Sequence, residues 1–255
     1  MRPWLAALKR FEEADTPCVM VTLLRSAGSA PREGGAKMVV SATESVGTLG
    51  GGTVELLAQQ KARTLLDAAD PAPHEEEFIL NDAIDQACGG RMTVLFEPLY
   101  PPPLVIAIVG AGHVGQALVN VLGPVHCRVH WFDARASLFP DAMPGNARRH
   151  EFVEPASIMQ VLPAGGALLA MSHSHDLDLQ VVAAGLRRDD LALVGTIGSA
   201  TKRGRMLHRL RDMGLEDAAR QRLICPVGLP GVGGKAPADI AIAIAAQLLA
   251  MEQRV

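Results

Sequence analysis

Hydrophobic residues follow two alternating patterns from residue 104 onward. Short, nearly continuous apolar runs are followed by segments in which apolar residues recur every three or four positions. The first pattern is typical of buried parallel strands and the second of amphipathic helices, so this half predicts a parallel sheet with helices on both faces. The predicted strands are 104–109, 128–132, 166–171 and 191–196, and the predicted helices are 113–122, 154–161, 177–186, 201–213 and one after Pro237.

The first half of the chain has a less regular pattern, in which apolar runs and two helical segments are interrupted by glycine-rich stretches. This mixture is typical of a small α+β domain. The predicted elements are helix 3–13, strands 18–24, 37–40 and 92–96, and helix 54–69.

A proline cluster at 97–103 separates the two patterns. Proline continues neither a helix nor a central strand, and closely spaced prolines act as a stiff connector. We therefore predict two domains, 1–98 and 104–255.

Composition and charge narrow the functional classes. The 255 residues carry a formal charge of −3, whereas a general nucleic-acid binder has a strong basic excess. The longest apolar helical stretch, 240–251, is shorter than the roughly 20 residues that span a bilayer, and the N-terminus lacks the pattern of a secretory signal. No Cys-x-x-Cys pair is present, and Cys18, Cys127 and Cys225 lie in or beside apolar runs. We expect a soluble cytoplasmic protein with buried cysteines and no disulfide framework.

The most informative motif is Gly110-x-Gly112-x-x-Gly115, with His113 inside it, directly after an apolar strand. Glycine lets the chain turn tightly and lets a pyrophosphate approach the helix N-terminus, where free N–H groups favour negative charge. Asp133 ends the next predicted strand, at roughly the 20-residue spacing of a ribose-binding carboxylate. The expected fold class is therefore α/β, with a C-terminal Rossmann-like parallel-sheet domain and a smaller N-terminal α+β domain. The alternative is a glycine turn of another α/β fold.

Two loops of the first domain carry glycine together with polar side chains. Arg32 closes a Gly-Ser-Ala-Pro-Arg segment, and Gly50, Gly51 and Gly52 precede a helix whose first turn contains Glu55. Glycine-rich backbone before a helix presents N–H groups to an anion, and arginine adds charge-assisted bonds to phosphate. The alternative is a pair of tight turns in which the glutamate complements the helix dipole.

A third loop of that domain contains Cys88, followed by Gly89 and Gly90 and then by Arg91. A thiol beside two glycines is sterically open, and neighbouring N–H groups and a guanidinium lower a thiol pKa. Thiolates are soft ligands for transition metals. A lone cysteine in a turn is more often inert, so the loop alone leaves both interpretations open.

The second domain has two further polar loops at predicted carboxyl ends of strands, where open α/β sheets bind ligands. His173 and His175 alternate on one loop and could share a metal ion, but no third ligand is evident, and Asp176 could instead cap the following helix. Ser199 and Lys202 begin a basic helix. An anionic partner would explain basic residues there, and a solvated helix face is the alternative.

In this order, these segments resemble the XdhC family, the accessory proteins of xanthine dehydrogenase and related molybdenum hydroxylases. The resemblance covers nearly the whole chain. It rests on the segments Gly-Ser-Ala-Pro-Arg32, Gly50-Gly-Gly52-x-x-Glu55, Cys88-Gly-Gly90, Gly110-Ala-Gly-His-Val-Gly115, Ser172-His-Ser-His-Asp-Leu-Asp178, Gly198-Ser-x-x-Lys-Arg203 and Cys225-Pro-Val-Gly-Leu.

The resemblance implies a chaperone without turnover of its own. Such a protein binds the molybdenum cofactor, protects it while its terminal sulfur ligand is installed, and inserts it into apo xanthine dehydrogenase or a related hydroxylase. A cysteine desulfurase would be the sulfur donor, and family members are often homodimers. The family often has two adjacent cysteines before Gly-Gly, whereas Ala87 stands at the first position here.

The resemblance gives Cys88 the role of metal ligand, facing the molybdenum. The residues predicted to bind the cofactor are Arg32, Gly50, Gly51, Gly52, Glu55, Cys88, Gly89, Gly90, Gly110, Gly112, His113, Gly115, Asp133, His173, Asp176, Ser199 and Lys202.

Two enzymatic alternatives stay open. The glycine motif with Asp133 also fits an NAD(P)-dependent oxidoreductase, with NAD(P) or another nucleotide in the second domain. A nucleotidyltransferase acting on a pterin phosphate would need carboxylates for magnesium, and Asp176 and Asp178 are the only tempting pair.

Overall fold

The computed structural model describes residues 2–28, 33–68, 72–79 and 90–252. The chain divides into two compact units, Met1–Pro101 and Pro102–Val255. Within the described ranges, no helix is both long and apolar enough to cross a bilayer.

The first unit is built on a five-stranded sheet whose strand order is β3-β2-β1-β5-β4. Each neighbouring pair of strands is antiparallel, and β1 is the central strand. Two helices are described in this α+β unit outside the gaps at 29–32, 69–71 and 80–89. The elements are α1 (Pro3–Glu13), β1 (Cys18–Ala27), β2 (Lys37–Ser41), β3 (Ser45–Gly47), α2 (Gly52–Leu66), β4 (His74–Ile79) and β5 (Arg91–Leu99).

Successive side chains of a strand point to opposite faces, and residues 18–23 of β1 are all buried, so both faces of this part of the strand are covered. Val19 and Val21 belong to a core cluster with Ala58 and Ala62 of α2, which lie one helical turn apart. Cys18 and Met20, on the other face, belong to a second cluster with residues of α1. Burial raises the pKa of the Cys18 thiol to about 11, so this cysteine is a packed hydrophobe as expected.

The second unit is a six-stranded sheet in which every neighbouring pair is parallel. Its strand order, β8-β7-β6-β9-β10-β11, is that of the doubly wound Rossmann fold, and the predicted fold class is confirmed. The elements are β6 (Leu104–Val109), α3 (His113–Leu122), β7 (Cys127–Phe132), β8 (Ala147–His150), α4 (Pro155–Val161), β9 (Ala167–Ala170), α5 (His175–Leu186), β10 (Leu193–Thr196), α6 (Ala200–Asp212), α7 (Asp217–Gln221), β11 (Leu223–Ile224) and α8 (Pro237–Glu252).

The apolar runs of this unit are strands with two buried faces. Along β6, Ile106 and Ile108 pack in one cluster with residues of α3 and α8. Ala107 and Val109 pack in a second cluster with residues of α4, α5 and α6. Cys127 and Cys225 are buried in these two clusters, as their apolar surroundings predict.

Four strands of the structure, β3, β4, β8 and β11, are absent from the elements predicted above. Three of them, β3, β8 and β11, have two to four residues, too few for a period-two pattern to emerge. The fourth, β4, is an edge strand that carries the acidic run Glu75–Glu77. Charged side chains are common on edge strands because they discourage pairing with another chain.

Candidate functional site

The candidate site lies at the carboxyl ends of the parallel strands of the second unit. The strand order reverses between β6 and β9, and ligands of doubly wound sheets bind outside such a switch point. The chain leaves β6 through Gly110 and leaves β9 through Met171 and Ser172.

Gly110 brings these two exits into contact. Its φ of 121° is in the region that favours glycine, and a Cβ there would clash with the backbone oxygen of Met171. The Trp131 indole donates a hydrogen bond to the Gly110 carbonyl at 3.0 Å, while the Gly110 amide donates to the Phe132 carbonyl at 2.8 Å. Both hydrogen bonds therefore fix the first glycine to β7.

The other two glycines have different tasks. A Cβ on Gly115 would clash with the Gly110 carbonyl oxygen, so Gly115 lets α3 pack against the end of β6. A Cβ on Gly112 would meet nothing within 4 Å, so the space before the helix is open. Gly112 also has no side chain to cap α3, whose first residue is the exposed His113. The first-turn amides are thus available to an anion.

Asp133, the predicted ribose ligand, already has four hydrogen-bond donors. It accepts from the amides of Ala111, in the glycine turn, and of Arg135, and from the Nε and a terminal nitrogen of the Arg135 guanidinium, all at 2.8–2.9 Å. Burial opposes ionisation of this carboxyl, but the bonds from Arg135 and Ala111 outweigh it and lower its pKa to about 2. A carboxylate has about four lone-pair sites, so a ribose hydroxyl would have to displace one of these donors.

The loop after β9 is organised by its serines and by Asp178. Ser174 is the N-cap of α5, which it caps by accepting a hydrogen bond from the Leu177 amide, so Asp176 is not the cap. Ser172 exchanges two hydrogen bonds with Ser174 through its hydroxyl, and its amide donates to the carboxylate of Asp178 at 2.9 Å. Asp178 is fully buried.

Lys202 connects this loop to the next one. Its ammonium lies 3.0 Å from the Asp178 carboxylate and 3.4 Å from the Thr196 hydroxyl at the end of β10. Ser199 accepts a hydrogen bond from the Lys202 amide and so caps α6. The structure therefore brings the predicted residues Ser199 and Lys202 together with Asp178 and Thr196.

The histidines and Asp176 lie on the solvent side of the same loop. His173 and His175 are exposed, and Asp176 forms an exposed ion pair with Arg209 at 2.7 Å. Across the described residues, no group of three His, Cys, Asp or Glu side chains lies close enough to hold a metal ion.

Beside these loops, a cavity of about 650 Å³ lies where β10, β11 and α8 meet. Its walls combine backbone of the glycine-rich segment 226–235 with aliphatic side chains, and Lys235 is its one cationic wall residue. The segment is tied down by Gly228, whose amide donates to the Gln247 side chain at 2.7 Å, and by Leu229, whose amide donates to the Ala243 carbonyl. We call this space the β11 cavity.

In the first unit, Glu55 shapes the predicted glycine run. Its carboxylate accepts hydrogen bonds from the Thr48 hydroxyl and from the amides of Leu49 and Gly51. Burial opposes ionisation, but these bonds outweigh it and lower the Glu55 pKa. All three glycines of the run, Gly50–Gly52, have positive φ.

The described residues include only the end of the predicted cysteine loop. Arg32, Cys88 and Gly89 lie outside the described residues. Gly90 is buried and directly precedes β5.

The fold and this sheet edge define the second unit as a Rossmann domain with an open glycine turn. Comparison with protein families agrees, because a family model described as the XdhC Rossmann domain matches residues 106–248. A second model, described as the XdhC and CoxI family, matches residues 12–77. The chain belongs to the XdhC family.

Two individual proteins that resemble the chain share less than 30% sequence identity with it. The chain is 29% identical over 247 residues to the uncharacterized protein YqeB of Escherichia coli strain K12, a match that covers 94% of this chain and 44% of YqeB. It therefore spans less than half the length of that relative. A crystal structure of a xanthine dehydrogenase from Bacillus halodurans has a similar fold, with a TM-score of 0.51 and 20% identity over 100% of this chain and 96% of that one.

We predict that Gly115→Ala destabilises the protein, because the new methyl group would press on the Gly110 carbonyl. Overpacking of this kind costs about 1–3 kcal/mol. Gly112→Ala is the matched control, since its φ of −73° and open surroundings accept a methyl group. Denaturant titration of both variants measures the difference, and equal free energies of unfolding would contradict the packing role.

We predict that Asp133→Asn lowers the free energy of unfolding at pH 7 by roughly 2 kcal/mol, because the folded-state pKa is about 2 against a reference value of 3.8. A lowered pKa stabilises the fold above the unfolded-state pKa, and this contribution is lost as the pH falls towards 2. The difference in the free energy of unfolding between wild type and variant should therefore become smaller in acid.

Denaturant titrations at pH 7 and pH 3 measure the difference in the free energy of unfolding between wild type and Asp133→Asn. Asp141→Asn, at an exposed position, is the control and should change stability by less than about 0.5 kcal/mol. A gap that stays constant with pH would show that the charge of Asp133 contributes nothing.

Proposed function

We propose that this XdhC-family chain carries the molybdenum cofactor. It binds the cofactor, shields it while its terminal sulfur is installed, and inserts it into apo xanthine dehydrogenase or a related molybdenum hydroxylase in the cytoplasm. The observation that carries the proposal is the family membership, since the two family models match residues 12–77 and 106–248.

The chemistry of the cargo fits the carboxyl edge of the second unit. A pyranopterin with a terminal phosphate needs amide donors for its anionic end and a sheltered surface for its rings. The uncapped start of α3 behind Gly112 supplies free amides. The β11 cavity, at about 650 Å³, has the size of a small-molecule pocket and a largely aliphatic wall.

Loops of the first unit also have roles in this proposal. Cys88 is a single thiolate ligand for the molybdenum, and Arg32 and the Gly50–Gly52 run bind the pterin or its phosphate. The bonds that Glu55 accepts from Leu49 and Gly51 support this role, because they hold the run in a fixed shape before any ligand arrives. A preformed loop loses less entropy on binding.

The partners in this proposal are the apo-hydroxylase, which receives the cofactor, and a cysteine desulfurase, which supplies sulfur. A homodimer would place two cargo sites in one particle. The ion pair and hydrogen bonds at Asp133 favour such a carrier over a nicotinamide-dependent oxidoreductase, because the carboxylate that would bind ribose is already engaged by Arg135.

We predict that Cys88→Ala lowers the amount of molybdenum that copurifies with the protein and the activity restored to an apo-hydroxylase. The reason is that the variant lacks the soft thiolate ligand. Cys127→Ala is the control, because Cys127 is buried in the hydrophobic core of the second unit. Elemental analysis gives the ratio of molybdenum to protein, and reconstitution with purified apo-hydroxylase gives the delivered activity.

The possible outcomes separate the parts of the proposal. Loss of molybdenum in Cys88→Ala with retention in Cys127→Ala supports the thiolate. Undiminished cofactor binding and delivery by Cys88→Ala would contradict the role of the Cys88 thiolate but not the carrier role of the protein. A wild-type protein that binds no cofactor, but binds NAD in calorimetry, would reject the carrier role in favour of the oxidoreductase.

A further inference from the structure

A second cavity in the Rossmann unit, of about 280 Å³, lies between α5 and α6. We call it the α5–α6 cavity. It shares no wall residue with the β11 cavity. Its apolar wall is formed by Leu179 and Met206, both buried, and four of its other wall residues are basic: His175, Lys202, Arg205 and Arg209. None of its wall residues is acidic.

Three of these cations occupy one face of a single helix. Lys202, Arg205 and Arg209 are spaced by three and four residues along α6, so they are neighbours on its surface. Like charges at these spacings destabilise a helix, and cations near its N-terminus also oppose the helix dipole. Negative charge beside these residues, from the protein or from a ligand, offsets their mutual repulsion.

The cations differ in how far the protein neutralises them. Lys202 pairs with Asp178, and Arg209 pairs with Asp176. Arg205 is exposed and makes no ion pair or hydrogen bond with the part of the chain that the structure describes. An ammonium has three donors, and Asp178 and Thr196 account for two of those on Lys202. Donor capacity therefore remains at Arg205 and Lys202.

The remaining walls restrict the kind of anion. Ser199 and Thr201 add hydroxyl groups beside the cations. A phosphate monoester has three terminal oxygens and close to two negative charges at neutral pH, and arginine binds such a group with two parallel hydrogen bonds. Leu179 and Met206 offer an apolar surface to whatever the phosphate is esterified with. The volume of about 280 Å³ is close to the lower end of the range for small-molecule pockets.

We propose that the α5–α6 cavity is a binding site for a phosphate monoester. Arg205 and Lys202 bind its phosphate, and Leu179 and Met206 contact its organic part. None of its walls belongs to the glycine turn or the β11 cavity, whereas Ser199 and Lys202 are among the residues that the resemblance predicts to bind the cofactor. The phosphate is either the terminal group of the proposed cargo or that of a separate metabolite.

Calorimetry with adenosine monophosphate as the probe tests the proposal. We expect Arg205→Ala to weaken binding by about tenfold or more, because charge-assisted bonds to phosphate are lost. Arg211→Ala is the matched control: it removes an exposed arginine from the same helix, one that pairs with Asp212 and does not line the cavity. Adenosine and inorganic phosphate, tested separately, should each bind more weakly than the monoester.

Several results would overturn the proposal. They are no binding of the probe to wild type, equal weakening in Arg205→Ala and Arg211→Ala, or equal affinity for adenosine and its monophosphate. Arg205 is exposed, so circular dichroism should confirm that its variant is folded. The molybdenum content of Arg205→Ala then identifies the source: a fall assigns the phosphate to the cargo, and unchanged content with weakened probe binding assigns it to a separate ligand.

Discussion

The carboxyl edge of the Rossmann sheet depends on one close approach of backbone to backbone. Gly110 lies so near Met171 and Ser172 that no side chain fits between them, and Gly115 packs against the carbonyl of Gly110. The first contact joins the exits of β6 and β9, and the second sets the start of α3. Because both contacts involve backbone atoms, which cannot rotate away as a side chain can, they fix the position at which the α3 amides meet a ligand.

Carboxylates then shape one loop of the first unit and two loops of the second. Glu55 accepts from the amides of Leu49 and Gly51, Asp133 from that of Ala111, and Asp178 from that of Ser172. All three are among the acids that the sequence marks as candidate ligands. In the structure each one accepts hydrogen bonds from the loop before it or beside it and so holds the amides of that loop in place.

The sequence predicts those features whose signal is local. The central strands are long apolar runs, and the glycine turn follows from residue types that only a tight turn requires. The partners of Asp133 and Asp178 are a different case, because spacing alone shows that an acid ends a strand or begins a helix. Which hydrogen-bond donor reaches each carboxylate depends on the folded positions of Arg135, which binds Asp133, and of Lys202, which binds Asp178.

The same distinction explains why the sequence pattern leaves an anionic partner of α6 and a solvated helix face as equal alternatives. A basic helix is compatible with a solvated face, and only the folded arrangement shows which cations are neutralised. The buried pair of Asp178 and Lys202 is itself weak evidence for stability, since the desolvation of two charges offsets much of their attraction. Its clearest consequence is geometric: it ties the first turn of α6 to that of α5 and keeps Lys202 at the wall of the cavity, beside the unneutralised Arg205.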